Sequence, residues 1–338
     1  DHIRITVYYT EITNQSPNTP SSLGPASYVD ASWGLDNTPT LQFTQSDPDA
    51  SDTVKYRMQI DDSSDFASAV VDYTSALAAQ GATSFTVGQA AGTGTYTVGS
   101  ASQTLTDSSY YWRVMSTDNN NATSSWATAN SGAIAFKVDT TAPTNVGISG
   151  ITADSTTQLT VTAQTATDAG SGLHSTPYYF SQSSGSPNSG YQAGATWADT
   201  LLSPNTQYTY ITKAKDTLNN ESALSSSVSK YTLANQVTGL TATNATDKTS
   251  YKINLTWTNQ GQTGMKIEQD TNCDGYETTL YDDASVNATS PYQVNAAANT
   301  CYKFRISSYN GDGTVNSTSI PETSQITTPA SQPTSLTH

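Results

Sequence analysis

The most chemically specific stretch of this sequence is Asp270-Thr-Asn272-Cys-Asp274-Gly275. Carboxylate and amide oxygens at alternate positions, followed by a glycine that permits a sharp turn, are what the first half of a calcium-binding loop requires. The second half departs from that pattern: its twelfth position is Tyr281 rather than Glu, and Asp282 falls one residue late. The same residues also suit a hairpin turn, where Asn, Asp and Gly accept left-handed backbone. Both readings stay open, with Ca2+ as the ligand that Asp270, Asn272 and Asp274 would take. Asp47, Asp49 and Asp52 form a second acidic turn.

Little else in the chain could do chemistry. There are three histidines, His2, His174 and His338, two of them at the ends. No Gly-x-Ser-x-Gly elbow and no His-Glu-x-x-His occurs, and neither cysteine has a histidine nearby in sequence. Paired carboxylates such as Asp61-Asp62 sit in turn-rich contexts, where they read as solvated turn formers. The expectation is a protein that is not an enzyme.

The elements that would position these turns are strands. Of 338 residues only 12% are charged, the net charge is -15, and 20 Tyr stand against 6 Phe. A chain with few charges and abundant Thr, Val and Tyr is suited to sheets and unlike a disordered one. The negative field argues against nucleic acid and against anionic membrane surfaces as partners. No run approaches the 18 apolar residues of a membrane span. The chain opens on Asp1 without Met and is read as a processed or excised piece of something longer. Two cysteines and seven N-x-[ST] sequons (at Asn14, Asn121, Asn220, Asn244, Asn254, Asn287 and Asn316) point to an extracellular or cell-surface location.

Alternation of period two recurs: Leu41 and Phe43, then Tyr56, Met58 and Ile60; Leu159, Val161 and Ala163; Ile253, Leu255 and Trp257. Such runs, bounded by Gly, Pro, Asn and Asp, predict half-buried antiparallel strands. Three segments share one strand type: Tyr110-Tyr-Trp112-Arg-Val114, Tyr208-Thr-Tyr210-Ile and Tyr302-Lys-Phe304-Arg-Ile306. Their leading tyrosines are 98 and 94 residues apart, the length of one immunoglobulin-type sandwich. The predicted architecture is all-β: three tandem Ig-like β-sandwiches in an elongated rod, over 20–139, 140–234 and 235–329, with 1–19 an isolated strand and linker and 330–338 a linker to a following module. The Pro- and Thr-rich junctions are only a few residues long, which favours restricted module orientations.

The second and third repeats resemble fibronectin type III domains, on Leu202…Pro204…Thr206-x-Tyr208 and on Ile253-x-Leu255-x-Trp257 with Tyr302-x-Phe304-x-Ile306-x-Ser308-x-Asn310. The first resembles bacterial Ig-like modules of long surface proteins, on Thr38-Pro39-Thr-Leu41, Ser46-Asp-Pro-Asp49, Tyr111-Trp112-Arg113-Val114 and Val138-Asp-Thr-Thr-Ala-Pro143. It departs from the pattern in a Gly-rich hairpin at Ala90–Ser100. The resemblance implies that Tyr110, Tyr208 and Tyr302 are buried tyrosine corners whose hydroxyls bond backbone a few residues upstream. It also places Cys273 and Cys301 at one pole of neighbouring antiparallel strands, within the ~5.5 Å Cα spacing of a disulfide. Trp33, Trp126 and Trp197 lie outside the strongest alternation, so they would either pack at module edges or stack on sugar rings.

His2–Glu11 reads as a further strand with Ile3, Ile5, Val7 and Tyr9 on one face. A lone strand is unstable in water, so it would either end a preceding domain of the same parent chain or be donated to a neighbouring subunit of a fibre. Together these features describe a non-catalytic structural protein of an extracellular filament or adhesin stalk. The alternative is an accessory region, binding carbohydrate or cells, of a larger secreted enzyme or adhesin.

Overall fold

The predicted alternation governs burial along nearly every strand. In Ser108–Asp118, Tyr110, Trp112, Val114, Ser116 and Asp118 all point inward, and in Lys252–Thr258 Ile253, Leu255 and Trp257 do. Burying each large apolar side chain of this kind contributes roughly 1.5–3 kcal/mol. The computed structural model describes residues 3–8, 13–245 and 250–331. Among them the regular structure is strand, with two short 3-10 turns and no α-helix. None of it is a helix long and apolar enough to cross a membrane. The chain divides into two compact units: Asp1–Pro143 with Thr167–His174 and Lys215–Glu221, and the remainder.

The first unit holds two sheets. One orders Ser21–Gly24, Thr40–Gln45 and Gly81–Thr86. The other runs Ser32–Gly34, Phe136–Val138, Ser108–Asp118, Val54–Asp61, Val71–Thr74 and Thr95–Val98, with Ala127–Thr128 also paired to Ser108–Asp118. Leu41, Phe43 and Phe85 meet Met58, Ile60 and Trp112 in one core. The indole N–H of Trp112 donates to the carbonyl oxygen of Tyr28 at 2.8 Å, so burial of this large ring leaves no polar atom stranded. The Gly-rich insertion at 90–100 supplies the edge strand Thr95–Val98, whose Tyr96 packs against Tyr73 with centroids 4.8 Å apart and rings tilted by 56°.

The second unit contains two modules with one strand order. In the first, Ile148–Ala153, Gln158–Ala163 and Thr196–Thr200 form one sheet, and Asn188–Gln192, Leu173–Gln182, Gln207–Asp216 and Val228–Tyr231 the other. In the second, Thr238–Asn244, Lys252–Thr258 and Tyr292–Asn295 face Thr278–Asp283, Gly264–Thr271, Cys301–Tyr309 and Ile326–Thr327. Strands one, two and five in one sheet, with four, three, six and seven in the other, is the fibronectin type III arrangement of the immunoglobulin-like sandwich.

Residues 3–8 form no ladder and have no regular structure, and Ile3, Ile5 and Val7 are 90%, 82% and 61% exposed. Among the described residues no strand edge pairs with them, and an unpaired strand has no backbone partners. Tyr9 and Glu11 lie outside the described residues. From Asn14 onward the chain is tied to the first unit: the Asn18 N–H donates to the Ser46 carbonyl at 2.9 Å and the Gln15 N–H to Asp49 Oδ2 at 2.7 Å.

Candidate functional site

Asp270 ends the strand Gly264–Thr271, and Asn272, Asp274 and Gly275 turn the chain back towards Thr278–Asp283. The turn is built from left-handed residues, Asn272 at φ 72° and Cys273 at φ 63°. Asp270 is buried, and its Oδ1 accepts from the N–H groups of Asp274 (2.9 Å) and Gly275 (3.1 Å). Asp274 joins it, as does Glu277, which lay outside the sequence pattern: oxygens of the three lie within 4.8 Å of one another. Glu277 also accepts from the N–H of Thr271 at 2.8 Å. Asn272 enters through its backbone, donating to the Cys301 carbonyl at 2.8 Å. Cys273 and Cys301 are joined in a disulfide with Cα atoms 5.7 Å apart, so the acidic turn is fastened to the start of the strand Cys301–Tyr309.

Two further carboxylate clusters exist among the described residues. In the first unit Asp139, Asp168 and Asp216 bring oxygens within 4.8 Å of one another, with Asp139 and Asp216 fully buried. Amide donors hold these charges: Ser171 N–H on Asp139 Oδ2 (2.6 Å), Gly170 and Gly172 N–H on Asp168 Oδ1, and Asn220 on both oxygens of Asp216. Gly170 is required there, because a Cβ would stand 2.3 Å from the Asp139 carboxyl carbon. Sequence reading missed this cluster, although Asp168 and Asp216 each open a turn rich in Gly or Asn. Asp47, Asp49 and Asp52 form the other cluster, again with oxygens within 4.8 Å.

The three tyrosines differ in placement. Tyr110 is buried and its hydroxyl donates to the Thr106 carbonyl at 2.8 Å. Tyr302 is buried and accepts from the Ala297 N–H at 2.8 Å. Tyr208 is only half-buried, which corrects its reading as a buried corner; its hydroxyl accepts from the Ser203 N–H at 2.9 Å. It shares the inward phase of Tyr210, Thr212 and Ala214 but is the second residue of the strand and is less buried than they are. The tryptophans proposed as sugar platforms are engaged internally. Trp126 carries Arg113 at 4.4 Å from its ring centroid, Lys137 lies 5.2 Å over Trp33, and Trp197 meets Tyr210 edge-on at 5.9 Å. Asn316, one of the sequon asparagines, is buried and donates to the Ala234 carbonyl at 2.9 Å, so the folded chain cannot carry a glycan there.

Within the second unit, the two modules meet through side-chain amides. Asn205 donates to the Gly261 carbonyl (2.8 Å) and accepts from the Gly311 N–H (2.7 Å). Asn316 donates to the Ala234 carbonyl at 2.9 Å, and Gln236, at the start of the third module, braces that turn by donating to the Asn316 carbonyl at 2.6 Å. Lys230 pairs with Asp312 at 3.2 Å. Gly311 lies against the ring of Tyr231, which a Cβ would meet at 2.5 Å.

The strand order defines the class: tandem β-sandwich modules of the fibronectin type III and Ig-like kind. No protein-family model matches the sequence, and no curated protein does. Among solved structures the chain is similar to the FN1–FN3 domains of chicken CNTN1, at 14% identity over 93% of this chain and 99% of that one, with a TM-score of 0.33. It is also similar to a two-domain fibronectin type III segment of chicken tenascin, at 14% identity over 55% and 97%, with a TM-score of 0.31.

Proposed function

We propose that this chain is a non-catalytic structural segment of an extracellular filament or cell-surface adhesin stalk. The observation that carries the reading is the joint between the second and third modules. Asn205, Asn310 and Asn316 spend their amides on backbone across it, and Asn310 and Asn316 are buried. Buried polar side chains with both donor and acceptor satisfied fix one arrangement, because any other would leave them unpaired. A fixed joint serves a protein that transmits force or sets distance. The disulfide supports an oxidising, extracellular setting.

Self-association belongs to the same proposal. Ile3, Ile5 and Val7 present apolar side chains to solvent, and an apolar extended segment completes a sheet edge in another chain more readily than it stays in water. Negative-stain electron microscopy of the full chain tests this. The expected result is fibres with an axial repeat, lost when Ile5 and Val7 are both replaced by Asp. Dispersed monomers at every concentration, or fibres that persist in the double variant, overturn the self-association.

A further inference from the structure

We infer that Asp47, Asp49 and Asp52 bind one calcium ion at a pole of the first module. Asp47 is 7% exposed, and its Oδ1 accepts from the Asp49 N–H at 2.8 Å. Its Oδ2 is buried with no hydrogen-bond partner. An anionic oxygen removed from water without a donor is strongly unfavourable, and a cation, a proton or a water must answer it. Asp49 and Asp52 bring further carboxylate oxygens within 4.8 Å, a concentration of anionic oxygens that one divalent cation can answer together.

The surroundings hold the loop in place without consuming that oxygen. Gln80 accepts from the Asp47 N–H at 2.7 Å and donates to the carbonyls of Asp49 and Asp52, both at 3.1 Å. Asn120 donates to Asp52 Oδ2 (3.2 Å) and to Asn14 Oδ1 (2.6 Å), while Gln15 N–H holds Asp49 Oδ2. A braced loop loses little entropy when an ion enters. All the ligands are oxygens and no His or Cys joins them, so the site suits a hard cation. Calcium tolerates the irregular geometry of one short loop, with water completing its six to eight ligands, better than magnesium does. The Asp139 cluster differs, since N–H and amide donors already occupy both oxygens of Asp139 and of Asp216.

The test is calorimetric titration of the EDTA-treated full chain with CaCl2, together with hydrogen exchange of residues 46–54. Wild type should take up one more equivalent than Asp47→Asn, and Ca2+ should slow exchange of this loop in wild type only. Asp52→Asn changes a half-exposed loop residue and leaves the core untouched; it should weaken the same equivalent at least about tenfold. In EDTA, Asp47→Asn should melt no lower than wild type, because it removes an unanswered buried charge. Equal stoichiometry in all three proteins, or exchange of residues 46–54 that ignores millimolar Ca2+ in wild type, overturns the inference.

Discussion

The side-chain amide of Asn310 donates to the carbonyl oxygen of Thr232 at 3.1 Å, and both residues are fully buried. Asn310 Oδ1 meanwhile accepts from the N–H groups of Asp312 and Thr314, so one side chain shapes a turn of the third module and holds the last residues of the second. Asn310→Ala leaves that buried carbonyl without its donor, at a cost of about 1–3 kcal/mol. Gly311→Val forces a side chain into the ring of Tyr231. Calorimetry should show these two modules melting together in the parent chain and separately in Gly311→Val. An unchanged single transition in Gly311→Val would mean that the Gly311–Tyr231 contact is not what couples them.

The Cys273–Cys301 bond closes a loop with a sequence separation of 28. Loop-closure entropy assigns such a cross-link about 3–4 kcal/mol. Replacing both cysteines with Ser should lower the melting transition of the third module and leave that of the first where it was. Equal loss in both transitions would contradict the assignment.

Glu268 accepts from Arg305 Nε at 2.7 Å and pairs with Lys266 at 2.9 Å. The Arg305 hydrogen bond, opposed by partial burial and aided by Lys266, holds its carboxyl below the ordinary value of 4.5. The unfolded chain therefore takes up the proton first as pH falls. The stabilisation is present above about pH 4.5 and is lost on acidification through the folded-state value. Its size is about 1 kcal/mol after allowing for the partly exposed arginine. Guanidinium titrations at pH 7 and pH 3 should show a smaller acid loss in Glu268→Gln than in the parent.

The modular plan was legible because it rests on local periodicity. Ile253, Leu255 and Trp257 alternate in sequence and all three face the core, and the spacing of Tyr110, Tyr208 and Tyr302 marks equivalent strands. What could not be read required distances between residues far apart in the chain. Asp139, Asp168 and Asp216 come from three separate turns, and only the fold gathers them. Glu277 joins Asp270 through the hairpin's actual return path rather than through fixed loop spacing. Tyr208 shows a third limit: inward phase predicts direction and not depth.

The core of the second module contains a polar pair that sequence alternation hides. Tyr210 and Asp199 point inward from facing sheets, and the Tyr210 hydroxyl donates to Asp199 Oδ2 at 2.8 Å, an oxygen that Gln182 also holds at 2.8 Å. Burial, then the hydrogen bond and charge of Asp199, raise the Tyr210 hydroxyl well above its ordinary value of 10. Below pH 10 the tyrosine is neutral in folded and unfolded chains alike, so the interaction is fully present. Above it the unfolded chain ionises first, and stability falls as pH rises. Tyr210→Phe removes one of two donors from a buried carboxylate and should cost about 2–3 kcal/mol at pH 7. Adding Asp199→Leu removes the unanswered charge as well, so the double variant should lose less than the sum of the two single changes. Urea denaturation of the four proteins at pH 7 and pH 11 measures both effects. Strict additivity, or an alkaline loss in Tyr210→Phe equal to that of the parent, would show that the pair is not coupled.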